Sequence, residues 1–160
     1  MLYGRLPRVD LPNHTYYLTC CLDKRRPVLA EPRFADYLLD LYVGERDREN
    51  IALHGYVLMP DHYHVLLTLM KEPSVSCLVR RIHSLFARLC RGVIPVRGRV
   101  WQRRFYDHAI RDEEDAKAKL AYMHANPVTA GLTDDPLSYH WSSCHFWLTG
   151  GGAVQCDPLE

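Results

Sequence analysis

Residues 51–70, IALHGYVLMPDHYHVLLTLM, are the most informative part of the sequence for the fold, because they join two extended apolar segments through a short turn. The first segment runs from Ile51 to Met59 and the second from His62 to Met70. Pro60-Asp61 separates them, and a proline, whose φ angle is fixed, suits a tight connection. The stretch therefore predicts a β-hairpin.

Strand and helix patterns flank this hairpin on both sides. Thr15–Leu22 (TYYLTCCL) is rich in aromatic and β-branched residues and predicts a strand, whereas apolar residues recur at helical spacing from Phe34 to Arg48. Beyond the hairpin, Val75–Gly92 has helical spacing and Phe105–Arg111 alternates as a strand does. The order β-α-β-β-α-β predicts an α+β, ferredoxin-like antiparallel sheet with both helices on one face.

A third, C-terminal helix is predicted after the last strand. The acidic run Asp112–Asp115 opens it and complements the positive end of the helix dipole. We expect it to end near Ala125, because Asn126 precedes Pro127 and a residue before proline is biased away from helix. This helix carries Tyr122.

Length and composition predict one ordinary globular domain. The chain has 160 residues, of which 48% are apolar and 24% charged. We expect residues 1–148 to form a single domain and the glycine-rich residues 149–160 to be a flexible tail. No apolar run approaches the roughly 20 residues of a membrane helix, and no signal peptide is evident. These features predict a cytoplasmic protein without a membrane partner.

The net charge of +1 hides a basic block. Residues 73–106 carry eight arginines and no acid, and Trp101, Phe105 and Tyr106 add stacking surfaces for unpaired bases. Arginine without lysine favours planar, bidentate contacts to phosphate or base edges. The block predicts a nucleic-acid surface, although a solvated helix face is the alternative. The predicted DNA-binding residues are Arg80, Arg81, Arg88, Arg91, Arg97, Arg99, Trp101, Arg103 and Arg104.

His62 and His64 form the first candidate site. Side chains two apart on a strand project from the same face, and paired imidazoles are a metal-binding element that needs further ligands. The alternative is two surface histidines beside a hairpin. Tyr63 should face the opposite side of the sheet and belong to the core. His108 is predicted either to lie near the site or to be structural.

Tyr122 and Asn126 form the second candidate site. They are four residues apart on the predicted helix and therefore share one face. A phenol and a carboxamide held together could act as nucleophile and metal ligand. Alternatively, Tyr122 belongs to the core and Asn126 caps the helix.

Three segments, in this order, resemble one family. They are YVLMPDHYHVLL (56–67), WQRRFYDHAIRDEEDAKAKLAYMHANPVTAGL (101–132) and YHWSS (139–143). They resemble the REP-associated tyrosine transposases, which are relatives of the insertion-sequence single-tyrosine transposases in the His-hydrophobic-His nuclease group. The resemblance covers about residues 12–146, and its most specific parts are MPDHYH and the Y-x-x-x-N-P-V-x-A-G run.

This resemblance implies a metal-dependent endonuclease and strand transferase for single-stranded or hairpin DNA, such as repetitive extragenic palindromes. His62 and His64 would hold Mg²⁺ or Mn²⁺ with Asn126 as the third ligand. Tyr122 would attack a DNA phosphate and leave a 5′-phosphotyrosine and a free 3′-hydroxyl. Insertion-sequence relatives have glutamine at the position of Asn126, so its ligation departs from their pattern. The resemblance implies a monomer or a homodimer.

Two other functions stay open from the sequence. One is a domesticated protein that recognises DNA hairpins without cutting them. The other is a metallohydrolase that activates water on the same two histidines.

Overall fold

The computed structural model describes residues 10–95 and 97–159, whose four strands form one antiparallel sheet in the order β2-β3-β1-β4. The strands are β1 (Thr15–Cys21), β2 (Ile51–Leu58), β3 (His62–Leu69) and β4 (Tyr106–Ala109). The helices are α1 (Pro32–Asp47), α2 (Val75–Val93), α3 (Glu113–Thr129) and α4 (Cys144–Thr149), with short 3₁₀ turns at Asp23–Arg25, Val28–Ala30 and Pro136–Ser138. This arrangement confirms the predicted α+β class and the predicted hairpin. Within the described residues, no helix is both long and apolar enough to cross a membrane.

Helices α1 and α2 cover one face of the sheet with the larger hydrophobic core. Tyr63 on β3 is fully buried there, as predicted from its place between the two histidines. Its hydroxyl lies 2.8 Å from the Tyr42 hydroxyl and 2.8 Å from His83 Nε2. The Ser74 side chain caps α2 by accepting from the Cys77 N–H at 3.0 Å.

Helix α3 covers the opposite face over a smaller apolar cluster. Leu120 and Met123 of α3 pack there on sheet residues that include Tyr17 and Leu66. Gly55 permits this close approach, because a Cβ at that position would lie 2.5 Å from Leu120 Cδ2. The sheet therefore lies between α3, which carries Tyr122, and the pair of helices α1 and α2.

Helix α3 continues through Pro127, so the prediction that Asn126-Pro127 ends the helix is wrong. Proline removes one backbone donor, but the helix runs on to Thr129. Gly131, which has φ +72°, follows the end of the helix, and the Leu132 N–H donates to the Pro127 carbonyl at 2.9 Å. This is the Schellman pattern, in which a left-handed glycine closes the helix. Asn126 is therefore a helical residue one turn beyond Tyr122.

The described residues after α4, 150–159, make packing contacts, whereas we expected a flexible tail at residues 149–160, of which residue 160 lies outside the described residues. Cys156 is buried in the larger core. The Asp157 carboxylate pairs with the Arg46 guanidinium, with Nε–Oδ2 at 2.9 Å and Nη2–Oδ1 at 3.0 Å. It also accepts from the Leu53 N–H at 2.8 Å. One buried thiol and one ion pair thus hold this segment on the sheet edge despite its glycines.

Candidate active site

His62 and His64 stand side by side at the start of β3, on the face covered by α3. Their ring centroids are 4.9 Å apart. His62 Nδ1 lies 2.7 Å from Asp61 Oδ1, and His64 Nδ1 lies 2.8 Å from both Tyr17 Oη and Thr19 Oγ1. In both rings the hydrogen bond at Nδ1 leaves Nε2 for another partner.

The surroundings favour a neutral imidazole at His64. Burial is the largest of three causes that together lower the pKa of His64 to about 3, and the charges of His62 and Arg25 are the other two. Burial of Asp61 opposes its ionisation, but the hydrogen bonds and charges of His62 and Arg25 outweigh this and lower its pKa. Asp61 Oδ2 accepts from Arg25 Nε at 2.8 Å. Asp61 is thus an ionised carboxylate that links His62 to a fixed positive charge.

Helix α3 brings Tyr122 and Asn126 of the same chain to these histidines. The Tyr122 ring centroid lies 6.1 Å from that of His64, and Asn126 Nδ2 lies 3.1 Å from His64 Nε2. Tyr122 is 61% exposed, which excludes the alternative of a core residue. Asn126 is helical and contacts His64, which excludes the alternative of a cap.

Three positioning residues were not predicted from the sequence: Tyr17, Thr19 and Asp61. Strand β1 pairs with β3 so that Thr19 lies opposite His64, which aims the Thr19 hydroxyl at the imidazole. The signal for Asp61 was its place immediately before His62. Tyr17 and Thr19 are identified by the register between β1 and β3, which cannot be read from the sequence.

Two other histidines, His108 and His124, have structural partners. His108 lies opposite Tyr17 on β4, but its Nε2 is 2.8 Å from Asp115 Oδ2 near the start of α3. His124 Nε2 is 2.8 Å from Ser143 Oγ. His108 therefore ties β4 to α3, which supports the structural alternative for it.

The donor groups fit a divalent metal ion in one specific way. Among residues 10–95 and 97–159, no three His, Cys, Asp or Glu side chains form a group that could hold a metal ion. A site here would therefore combine the Nε2 atoms of His62 and His64 with the carboxamide oxygen of Asn126, which a half-turn of its amide presents. Metal-binding histidines commonly donate their other N–H to a carboxylate or another acceptor, as His62 does to Asp61. The residues present thus suit such an ion.

A groove of about 920 Å³ lies between α2 and residues 99–105. Its lining includes six of the predicted arginines: Arg80, Arg88, Arg91, Arg99, Arg103 and Arg104. Arg97 is exposed but lies outside this set. The groove is therefore a concave surface with a strong positive charge.

Arg81 and Trp101 differ from the other predicted DNA-binding residues in their contacts within the protein. The Arg81 guanidinium Nη2 lies 2.8 Å from Glu45 Oε2 and 2.5 Å from Glu72 Oε2, two buried carboxylates. Trp101 is only 7% exposed, and its ring stacks on His83 at 4.0 Å. Contacts within the protein thus hold both side chains, and the DNA contacts that we predicted for them stay a prediction.

The groove adjoins the end of the sheet that carries His62. The Gln102 N–H donates to the Cys21 carbonyl at 3.0 Å, and Cys21 lies opposite His62 in the sheet. The Arg26 side chain donates to the Arg99 carbonyl. The loop that lines the groove is therefore fixed to the strand beside the histidine pair.

Paired histidines on a ferredoxin-like sheet, with an exposed tyrosine from a helix against them, define the arrangement expected of a tyrosine transposase. A model of the family described as "Transposase IS200 like" matches residues 10–126. This is most of the chain, and the chain belongs to that family. Transposases of this family generally depend on a metal ion.

Curated relatives and solved structures agree with this assignment. The chain is 28% identical over 139 residues to the REP-associated tyrosine transposase of Escherichia coli (strain K12), covering 86% of this chain and 81% of the relative. It is 31% identical over 136 residues to a putative REP-associated tyrosine transposase of Haemophilus influenzae (strain Rd), covering 74% of this chain and 77% of the relative. These matches confirm the resemblance found in the sequence.

Two solved structures share the fold. One is a REP-associated tyrosine transposase bound to a REP hairpin, with a TM-score of 0.75 and 22% identity over 98% of this chain and 99% of that one. The other is a putative transposase from Deinococcus radiodurans R1, with a TM-score of 0.51 and 21% identity over 76% of this chain and 95% of that one. At these identities the likeness concerns the fold.

Proposed function

We propose that this transposase nicks and rejoins single-stranded or hairpin DNA through a 5′-phosphotyrosine intermediate formed on Tyr122. One observation carries the proposal: within a single chain, the exposed Tyr122 ring lies 6.1 Å from the ring of His64. His62 and Asn126 lie against the same imidazole. The proposed nucleophile, which is exposed to solvent, and three proposed metal ligands thus lie together on the face of the sheet that α3 covers.

Tyr122 is proposed to act as the nucleophile. Its phenol oxygen forms a bond to the phosphorus, the bond from phosphorus to the 3′-oxygen breaks, and that oxygen takes up a proton. A phenol has a pKa near 10, so it has to lose its proton as it attacks. Because the cut bond is exchanged for another phosphoester, the free 3′-hydroxyl can later attack the link and rejoin strands.

His62, His64 and Asn126 are proposed to hold a divalent metal ion, Mg²⁺ or Mn²⁺. When bound, such an ion polarises the phosphate and offsets its negative charge. Asp61, through its hydrogen bond to His62 Nδ1, directs Nε2 of that ring toward the site. Tyr17 and Thr19 do the same for His64. Such outer partners are commonly worth 10- to 100-fold in metal affinity or activity.

The arginine groove is proposed to hold the DNA. Phosphate contacts from arginine supply affinity that does not depend on sequence, and the groove adjoins the strand that faces His62. REP hairpins are proposed as the substrate, since one structural neighbour is bound to such a hairpin. Action in the cytoplasm follows from a DNA substrate. Tyr122 lies against His64 of its own chain, which supports a monomer acting alone.

Adduct formation tests this proposal. Labelled hairpin DNA with a single-stranded flank, incubated with the protein and Mn²⁺, should yield a covalent protein–DNA adduct on a denaturing gel. Tyr122→Phe should abolish the adduct, whereas Tyr37→Phe, on α1, should retain it. An adduct that persists in Tyr122→Phe would overturn the assignment of the nucleophile.

The other candidate functions give different results in the same assay. Cleavage by Tyr122→Phe that leaves free phosphate ends and no adduct would indicate a water-activating metallohydrolase. Hairpin binding without cleavage under Mg²⁺ or Mn²⁺ would indicate a recognition protein.

A further inference from the structure

Tyr106 is an exposed aromatic residue that the proposed mechanism leaves without a role. Within the part of the chain that the structure describes, only two aromatic residues are among the exposed large apolar side chains, and both are tyrosines. Tyr122 is 61% exposed and Tyr106 is 50% exposed. Since half of its surface faces solvent, burial in the core does not account for an aromatic ring at Tyr106.

The strand register places Tyr106 on the face of the sheet that carries the site. Thr19 of β1 lies opposite His64 of β3 and also opposite Tyr106 of β4. Directly opposed residues of antiparallel strands project from the same face. The Thr19 hydroxyl contacts His64 Nδ1, so the row from His64 to Tyr106 faces the site. Two strand spacings separate the ends of this row by about 10 Å.

The other two aromatic candidates for contact with a base pack on the larger core, where Phe105 is partly buried. One face of Trp101 stacks on His83 at 4.0 Å, and Trp101 is buried in the larger core. Tyr106 is therefore an exposed ring that lies on the same face of the sheet as the histidines. In sequence it directly follows the residues that line the arginine groove.

We propose that Tyr106 stacks on an unpaired base beside the phosphate that is cut and thereby positions that phosphate at the site. This inference rests on the proposed function and adds a substrate-positioning residue to it. Stacking on an aromatic ring tolerates any base, because every base has a π-face. At about 3.4 Å per stacked nucleotide, the row of about 10 Å places this base within about three nucleotides of the phosphate.

Binding of uncleaved DNA by variants of Tyr106 tests the proposal. The assay uses the Tyr122→Phe background and an oligonucleotide with the mapped cut site, or with the flank of the hairpin if no cut is found. Tyr106→Leu should weaken binding by about tenfold to a hundredfold, which is the usual range for one stacked base. Tyr106→Phe should stay within about twofold, because stacking needs the ring and not the hydroxyl. Tyr106→Trp should bind at least as tightly as tyrosine.

An abasic scan identifies the partner base. One nucleotide at a time is replaced by an abasic site over three positions on either side of the cut. At the stacked position, the replacement should weaken binding by the Tyr106 protein as much as Tyr106→Leu does, and it should not weaken Tyr106→Leu further. Elsewhere the two changes should add.

Three results would overturn the role of Tyr106. They are unchanged binding in Tyr106→Leu, equal losses in the phenylalanine and leucine variants, and additive losses at every abasic position. Thermal unfolding of each variant identifies misfolded protein, and Tyr106→Trp tests the ring without truncating it. Because the assay measures binding, its result is separate from whether Tyr122 forms an adduct.

Discussion

The two faces of the sheet carry the same chemical pair, a tyrosine hydroxyl 2.8 Å from an imidazole nitrogen. On the face covered by α1 and α2, the pair is Tyr63 Oη and His83 Nε2. On the face covered by α3, it is Tyr17 Oη and His64 Nδ1. Tyr63 and His64 are consecutive residues of β3, so the alternation of a strand sends one to each face.

The pairs differ in what surrounds them. Tyr63 also bonds to Tyr42, and His83 stacks on Trp101, so aromatic residues complete this environment inside the core. His64 instead presents Nε2 to Asn126, beside a ring exposed to solvent. The difference between the two pairs is therefore that His64 of the candidate site faces a polar side chain of α3, whereas His83 is enclosed by aromatic residues.

Exchanging each histidine for alanine should separate the two roles and have the largest effect. His64→Ala removes a proposed metal ligand, so we expect adduct formation to slow by about 10³-fold, which corresponds to about 4 kcal/mol of transition-state stabilisation. His83→Ala removes the Trp101 stack and a partner of Tyr63, so we expect about 2–3 kcal/mol less stability. Single-turnover kinetics and urea unfolding measure the two quantities.

The contrast between the two faces would be wrong if His64→Ala and His83→Ala had the same effect on adduct formation. A His83→Ala protein that still folds should form the adduct at nearly the normal rate. Loss of activity by both variants at equal stability would show that the face covered by α1 and α2 also contributes to the chemistry.

Arginines should show the same contrast with a smaller effect. Arg88 lines the open groove, whereas Arg81 is held by Glu45 and Glu72. Arg88→Gln should weaken hairpin binding by about tenfold and reduce the slope of log K against log salt by about 0.7. Arg81→Gln should leave that slope unchanged and cost about 2 kcal/mol of stability, since its guanidinium is only partly exposed. An equal reduction of the salt slope in both variants would show that Arg81 contacts the DNA as Arg88 does.

The fold was predictable from the sequence because its decisive segments are local. The hairpin around Pro60-Asp61 alternates between two faces, which correctly separated Tyr63 from the histidines. Helical spacing likewise put Tyr122 and Asn126 on one face. A local rule failed at Pro127, where the left-handed glycine at position 131 and the surrounding contacts outweigh the bias against helix before proline.

The site was predictable only as far as residue type determines a partner. Eight arginines in one block indicate a basic surface, but the sequence does not show that Glu45 lies against Arg81 from 36 positions away. Burial of Trp101 depends in the same way on His83 and the core. Tyr17 and Thr19 reach His64 through strand register, a tertiary property.

The dependence of stability on pH should show the smallest effect, and it tests the buried pair of Tyr63 and His83 directly. Burial lowers the pKa of His83 to about 3, whereas an imidazole in the unfolded chain titrates near 6.5. The unfolded chain therefore binds more protons as the pH falls below 6.5, so this contribution to stability is complete above that value and declines toward pH 3. Between pH 6.5 and 5, one such histidine lowers the free energy of unfolding by about 1 kcal/mol per pH unit.

His83→Gln should remove this share of the slope while its amide keeps a partner for the Tyr63 hydroxyl. Burial also lowers the pKa of His64 to about 3 and that of His124 to about 4, so the variant should retain the remaining dependence rather than become independent of pH. Urea unfolding in the presence of a chelator measures the slope without a contribution from bound metal. Above pH 8 the variant and the parent should show parallel curves, because all three imidazoles are then neutral in both states. An unchanged slope between pH 6.5 and 5 in His83→Gln would show that the folded protein accepts a proton at His83. The contrast between His83, enclosed in the core, and His64, in the candidate site, would then be wrong for His83.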